Sequence, residues 1–198
     1  MPLTVLDSRT ALVLIDLQEG VASTFGRDAI AAPVANCRRL AEAFRAAELP
    51  VVLVHVGLSP DYAERPMNRT SAPPRPARPV PPAGTPAVDG TALLPEIDRQ
   101  PGDLVVTKRR MGAFHGTDLD LQLRSRGITG IVLAGIATSL GVESTARSAY
   151  DHGYNLTFAA DAMTDFTPVA HDHSLQVTLP YFGEIDTTGV IVSAVDGR

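Results

Sequence analysis

The stretch Ala11-Leu12-Val13-Leu14-Ile15-Asp16 is five apolar residues in a row, ending on a carboxylate. A strand with one wet face would alternate apolar and polar residues. A continuous run suits a strand buried on both faces, as in a parallel sheet covered by helices. The pattern recurs at residues 51–56 (VVLVHV), 104–106 (LVV) and 131–134 (IVLA), and residues 155–160 (NLTFAA) are a fifth candidate. Helical patterns lie between these runs. Residues 29–48 carry Val34, Leu40, Ala41 and Phe44 near helical spacing. Residues 117–126 open on Thr-Asp-Leu-Asp, close to a capping box, and stop at Gly127. Residues 141–152 place Val142, Ala146, Ala149 and Tyr150 on one stripe, with Gly153 as the stop. Strands alternating with helices predict an α/β fold: three α/β/α layers around a mostly parallel, doubly wound sheet of about six strands.

The 198 residues predict one domain, 1–198, large enough to bury a core without staples. A net charge of −5 argues against a nucleic-acid partner, which needs a basic footprint. The one cysteine, Cys37, excludes an internal disulfide and a multi-thiolate metal site. The start, MPLTVLDSRT, lacks a basic segment followed by an apolar run, and no apolar run approaches 18 residues. The expectation is a soluble cytoplasmic protein without a membrane partner. One segment breaks the rhythm. Nine of the sixteen prolines lie between Pro60 and Pro86, with Arg65, Arg69, Arg75 and Arg78 among them. Such density blocks helix and interior strand, so a loop, lid or oligomer arm is expected at about 60–86.

Ligands of parallel α/β sheets bind outside the carboxyl ends of the strands. The polar residues expected there are Asp16, His55, Lys108, the turn 135–141 (GIATSLG), Asp161 and Asp165. Each also has a plain reading. Asp16 can cap a turn near Gln18, Lys108 can be a solvated lysine beside Arg109 and Arg110, and His55 can be a satisfied interior histidine. Glu143 can simply favour the positive end of its helix. The pair His171 and His173 makes no strong metal pattern and reads as solvated. No G-x-G-x-x-G follows the first strand and no P-loop is present, which leaves little support for a nucleotide-binding protein.

At these same positions the chain resembles the isochorismatase-like hydrolase superfamily, nearly end to end. Residues 11–18 (ALVLIDLQ) resemble the family's first strand with its catalytic aspartate. Residues 102–119 (GDLVVTKRRMGAFHGTDL) resemble its lysine segment, and residues 134–147 (AGIATSLGVESTAR) its nucleophile turn. In the cysteine hydrolases of this superfamily the nucleophile precedes Val-Glu-Ser-Thr-Ala, and here that position is Gly141. Isochorismatases also resemble this pattern, with glycine at that point. They hydrolyse a vinyl ether through an aspartic acid and water. They also carry a tyrosine where this chain has Ala137, and an Asp-Trp-His stretch where it has none; the chain contains no tryptophan.

The resemblance implies a hydrolase acting on a small-molecule substrate without a cysteine nucleophile. Asp16 would be the general acid and base, Lys108 its partner, and water the direct nucleophile. Gln18, Phe25, His55, Phe114, Ala137, Thr138 and Gly141 would contact the substrate. It also implies a non-proline cis peptide at 136–137, aiming the amides of Ala137 and Gly141 at an anion. The alternative is a catalytically inactive homologue that binds a small molecule or a partner subunit. No cofactor is implied, and no metal. Nicotinamidases hold zinc through Asp-x-His after the second strand, and residues 56–61 (VGLSPD) lack that arrangement. A homodimer or homotetramer is expected by the same resemblance.

Overall fold

The computed structural model describes residues 1–59, 63–64 and 89–197. Almost all of the proline- and arginine-rich segment expected as a loop or arm lies outside them. Six strands form one parallel sheet: β1 (Thr10–Ile15), β2 (Val51–Val56), β3 (Leu104–Lys108), β4 (Gly130–Ile136), β5 (Asn155–Thr164) and β6 (Gly183–Asp186). Their order is β3-β2-β1-β4-β5-β6. The chain winds outward from β1 to β3, crosses back beside β1 to place β4, and winds out again. Between β1 and β4 the connections leave in opposite directions, which opens a crevice at their carboxyl ends. Every residue of β1 and β4 is buried, as the unbroken apolar runs require.

Among the described residues six α-helices cover the sheet: α1 (Glu19–Phe25), α2 (Arg27–Ala46), α3 (Leu119–Arg124), α4 (Glu143–Asp151), α5 (Pro168–His173) and α6 (Thr188–Asp196). Helix α2 buries Ile30, Val34, Cys37, Leu40, Ala41 and Phe44 on one stripe. At 20 residues it packs on β1, β5 and α6. Its opposite face carries the exposed Arg38–Glu42 pair at i,i+4. Among the described residues no helix is long and apolar enough to cross a membrane.

Four local expectations change. The helix expected from residue 117 begins at Leu119, because the Thr117 hydroxyl donates back to Ala113 O at 2.5 Å and accepts from Leu119 N at 3.2 Å. The hydroxyl ties down the incoming loop instead of capping a full turn. The helix expected from residue 141 is preceded by one wide turn, Thr138–Val142, with five-residue hydrogen-bond spacing; α4 proper starts at Glu143. Within α4, Tyr150 is exposed rather than part of the buried stripe. Asp161, expected after the fifth strand, lies inside β5, where its carboxylate caps α6 by accepting from the backbone N–H and hydroxyl of Thr188 at 2.6 and 2.8 Å.

Candidate active site

β1 ends by delivering Asp16 in a left-handed backbone conformation, φ +57°. Aspartate tolerates this region better than branched or bulky residues do. The conformation turns the chain sharply: the amide of Asp16 still donates to Val54 O on β2 at 2.8 Å, while its carbonyl accepts from Gln18 N at 2.9 Å. β3, two strands away, ends on Lys108. Its ammonium lies 2.9 Å from Asp16 Oδ2, with the lysine side chain 2% exposed and the aspartate side chain 12% exposed. Nζ also donates to the carbonyls of Arg110 at 3.2 Å and Met111 at 3.0 Å. Those three acceptors use the three N–H groups of an ammonium. Lys108 therefore compensates a nearly buried carboxylate and pins its own following loop.

The third component comes from β4. The peptide Ile136–Ala137 is cis, as the resemblance implies, and the wide turn follows it. Gly141 in that turn is buried. A β-carbon built on it would lie 3.3 Å from Asp16 Oδ2 and 3.0 Å from Ile15 Cγ2. The position without a side chain thus directly faces the carboxylate. Asp16, Lys108 and Gly141, distant in sequence, meet at the crevice that the strand order creates.

The other expected residues divide. Thr138, fully buried, donates its hydroxyl to Thr164 O at 3.1 Å and lies 2.8 Å from His171 Nδ1. A carbonyl only accepts, so the arrangement is satisfied when Nδ1 carries the proton and donates to the threonine oxygen. His171, read from sequence as solvated, is therefore part of the turn's support. Asp165 accepts from the amide of Ser139 at 2.6 Å. Phe25, at the end of α1, stacks on Phe166 with ring centroids 4.2 Å apart. Since β1 and β5 flank β4, this contact bridges the end of β4 and the turn that follows it.

Gln18 is 2% exposed, and its amide is spent on backbone: it donates to Val56 O at 3.0 Å and Gly90 O at 2.7 Å and accepts from Val56 N at 2.6 Å. It braces β2 and the segment at residue 90 against β1. His55 bonds Thr91 O through Nδ1 and the Thr107 hydroxyl through Nε2, both at 2.8 Å. Both ring nitrogens are occupied, which matches its reading as a satisfied histidine. Phe114 belongs elsewhere. Its ring packs on His152 and Tyr154, beyond the end of α4 remote from the turn, because the loop after Lys108 has by then descended toward α3. Cys37 lies buried in α2 with its thiol donating to Ala162 O at 3.2 Å. Burial, reinforced by Asp161, pushes its ionisation up, so it is an inert thiol outside the site.

Two residues, Thr145, which the sequence reading left out, and Glu143, which it read only as favouring its helix end, hold the parts together. The Thr145 hydroxyl, one turn into the region after Gly141, accepts from Ala113 N at 3.0 Å and donates to Gly141 O at 2.6 Å. It joins the loop fastened by Lys108 to the turn. Glu143 accepts from the Ser174 hydroxyl at 2.9 Å and pairs with Arg147 at 2.8 Å, fixing the segment after α5 beside α4. Among the described residues no group of three or more His, Cys, Asp or Glu is placed to hold a metal ion.

Residues 10–189 match the isochorismatase domain model. The chain is 42% identical over 193 residues to the uncharacterized isochorismatase family protein YecD of Escherichia coli O157:H7, covering 94% of this chain and 96% of that one. It is 32% identical over 215 residues to the ureidoacrylate amidohydrolase RutB of Rhizobium rhizogenes, covering 98% and 86%. A solved isochorismatase family protein from Burkholderia thailandensis superposes with a TM-score of 0.83 at 40% identity, over 97% of this chain and 98% of that one.

Proposed function

The chain belongs to the isochorismatase family of hydrolases, and from that premise we propose that it hydrolyses a small carbonyl compound with water as the direct nucleophile. One observation carries this reading: the position that resembles the cysteine hydrolases' nucleophile is Gly141, whose missing β-carbon would lie 3.3 Å from Asp16 Oδ2. A thiol there would sit between carboxylate and substrate. Without it, the attacking water takes its place on the substrate side of the carboxylate, within hydrogen-bond reach.

The steps balance without a covalent intermediate. Asp16, paired with Lys108, accepts a proton from water as the water oxygen bonds to the substrate carbonyl carbon. The amides of Ala137 and Gly141 donate to the oxyanion that develops. As the carbon–heteroatom bond breaks, Asp16 returns the proton to the leaving group. The products are an acid and an amine or alcohol. For a vinyl ether the order reverses: protonated Asp16 first gives its proton to carbon, and water then adds to the oxocarbenium ion. Lys108 has its N–H groups engaged by Asp16 and two carbonyls, so its part is to set the charge and position of Asp16. Phe25 and the turn form the wall on the β4 side, with Thr138 buried behind it as a support. Gln18 and His55 act by holding the neighbouring backbone in place.

A panel of amides, ureides, esters and vinyl ethers tests the proposal. Turnover of at least one, abolished in Asp16→Asn, with one solvent oxygen in the product and no mass increase on the chain during a quenched turnover, is the expected result. A substrate-derived adduct on the protein overturns direct water attack. No turnover of any member, with a compound of the panel still bound beside Gly141, would establish the inactive, binding homologue instead.

A further inference from the structure

At the end of the sheet remote from Asp16 lies a cavity of about 350 Å³. The first residues of three strands floor it: Gly130 of β4, Asn155 of β5 and Gly183 of β6. The segment before β1 forms one side of it. That segment is fastened along β6, where Ile185 N donates to Met1 O at 2.8 Å, Leu3 N to Asp186 at 3.0 Å and Thr4 N to Glu184 at 2.8 Å. The volume lies within the range of small-molecule sites.

Its lining has a definite chemistry. Thr157, second in from the start of β5, is 6% exposed and lines the cavity, yet its hydroxyl has no hydrogen-bond partner among the described residues. The rest of the side chain is buried and the hydroxyl is left accessible at the cavity, where a ligand can reach it. Two carboxylates share the wall. Asp7 accepts only from neutral donors, Thr129 at 2.6 Å and Asn155 at 2.9 Å. Glu184 likewise accepts from the amide and hydroxyl of Thr4 at 2.8 and 2.5 Å. Neither has a cationic partner in these contacts, and each carboxylate keeps acceptor capacity beyond the bonds it makes. The rings of Tyr150, Tyr154 and Phe182 complete the wall. The arginines stacked on two of these rings are neutralised by other acids: Arg124 by Asp120 and Arg147 by Glu143.

We propose that this cavity is a binding site for a small organic cation, a primary amine carrying an apolar or aromatic group. The Thr157 hydroxyl and the carboxylates of Asp7 and Glu184 take its N–H donors, and the rings take its apolar part. The site is separate from the crevice at Asp16 and does not depend on the activity proposed there.

Calorimetric titration of the full chain with benzylamine, benzyl alcohol and benzoate tests this. Benzylamine is expected to bind at least about tenfold more tightly than the alcohol, with no detectable benzoate binding. Thr157→Val and Glu184→Gln each weaken benzylamine binding about fivefold or more, while Thr157→Ser and Asp16→Asn leave it unchanged. Equal affinity for amine and alcohol, wild-type affinity in both Thr157→Val and Glu184→Gln, or loss of binding in Asp16→Asn overturns the proposal. The last result would place the amine at the other carboxylate. Should Glu184→Gln unfold by circular dichroism, Asp7→Asn takes its place with the same expectation.

Discussion

The ammonium of Lys108 lies 2.9 Å from Oδ2 of Asp16, and the lysine side chain is 2% exposed. The two residues come from strands that are not neighbours in the sheet, β3 and β1, with β2 between them. Removing one member strands the other in a poorly hydrated site, which costs about 3–5 kcal/mol. Lys108→Met should therefore lower the urea unfolding free energy by about that much. Adding Asp16→Asn to it should recover a large part of the loss. A double mutant that is the sum of the two single losses would show that the pair is not coupled.

Thr145 offers a second stability test, distinct from charge. Its hydroxyl serves Ala113 N and Gly141 O at once. Thr145→Val keeps the shape and leaves both backbone groups unpaired, at about 1–3 kcal/mol for each. Thr145→Ser keeps the hydroxyl and should lose less than half as much. Equal losses in Val and Ser variants, measured by chemical denaturation, would assign the effect to packing of the methyl group.

Thiol counting addresses Gly141 and Cys37 together. Cys37 is fully buried in α2. The native wild-type protein should show no reaction with iodoacetamide and one alkylation after unfolding. Gly141→Cys should add one thiol that reacts in the native state, since it would open beside a carboxylate with 12% exposure. Its β-carbon must push Ile15 Cγ2 from 3.0 Å, a small overpacking worth about 1–3 kcal/mol. Native alkylation of the wild type at Cys37 would contradict the burial described.

Alkaline pH should expose the same cysteine thermodynamically. Burial holds the folded Cys37 thiol protonated well above its ordinary value of 9.0. A raised folded pKa means that, above pH 9, the unfolded chain releases a proton that the folded chain keeps. The stability contributed by Cys37 is thus fully present below pH 9 and is lost as pH rises beyond it, by about 1.4 kcal/mol per unit. Tyr154 is shifted upward as well, by burial and by its bond to Asp120, so the comparison must be with Cys37→Ala. That variant should show a shallower decline between pH 9 and about 10.5. Parallel curves would count against the shift.

Much of this arrangement was legible from residue order. Unbroken apolar runs marked four strands, and the looser run at 155–160 a fifth, because a parallel sheet buried on both faces leaves no polar alternation; β3, at the sheet edge, departs from this by leaving Val105 and Thr107 exposed. Asp16, Lys108 and the turn through Gly141 stood at the ends of those runs. The sixth strand, Gly183–Asp186, escaped notice because its four residues are half-buried and carry no apolar run. The roles of Gln18, Phe114 and His171 were not legible either. A glutamine that braces backbone, a phenylalanine packed at the far end of a helix and a histidine supporting a turn differ from ligand contacts only in what lies across the chain from them.

The sequence by itself determined the layers, the strand ends and the absence of a thiol at position 141. These depend on local pattern and residue identity. Only the tertiary structure decided that Asp16, Lys108 and Gly141 meet, that the Lys108 ammonium is occupied by three acceptors, and that Cys37 faces Ala162 rather than the crevice. The reason is physical. Strand order β3-β2-β1-β4 sets which carboxyl ends converge, and hydrogen-bond partners across long sequence separations set which polar groups remain for chemistry.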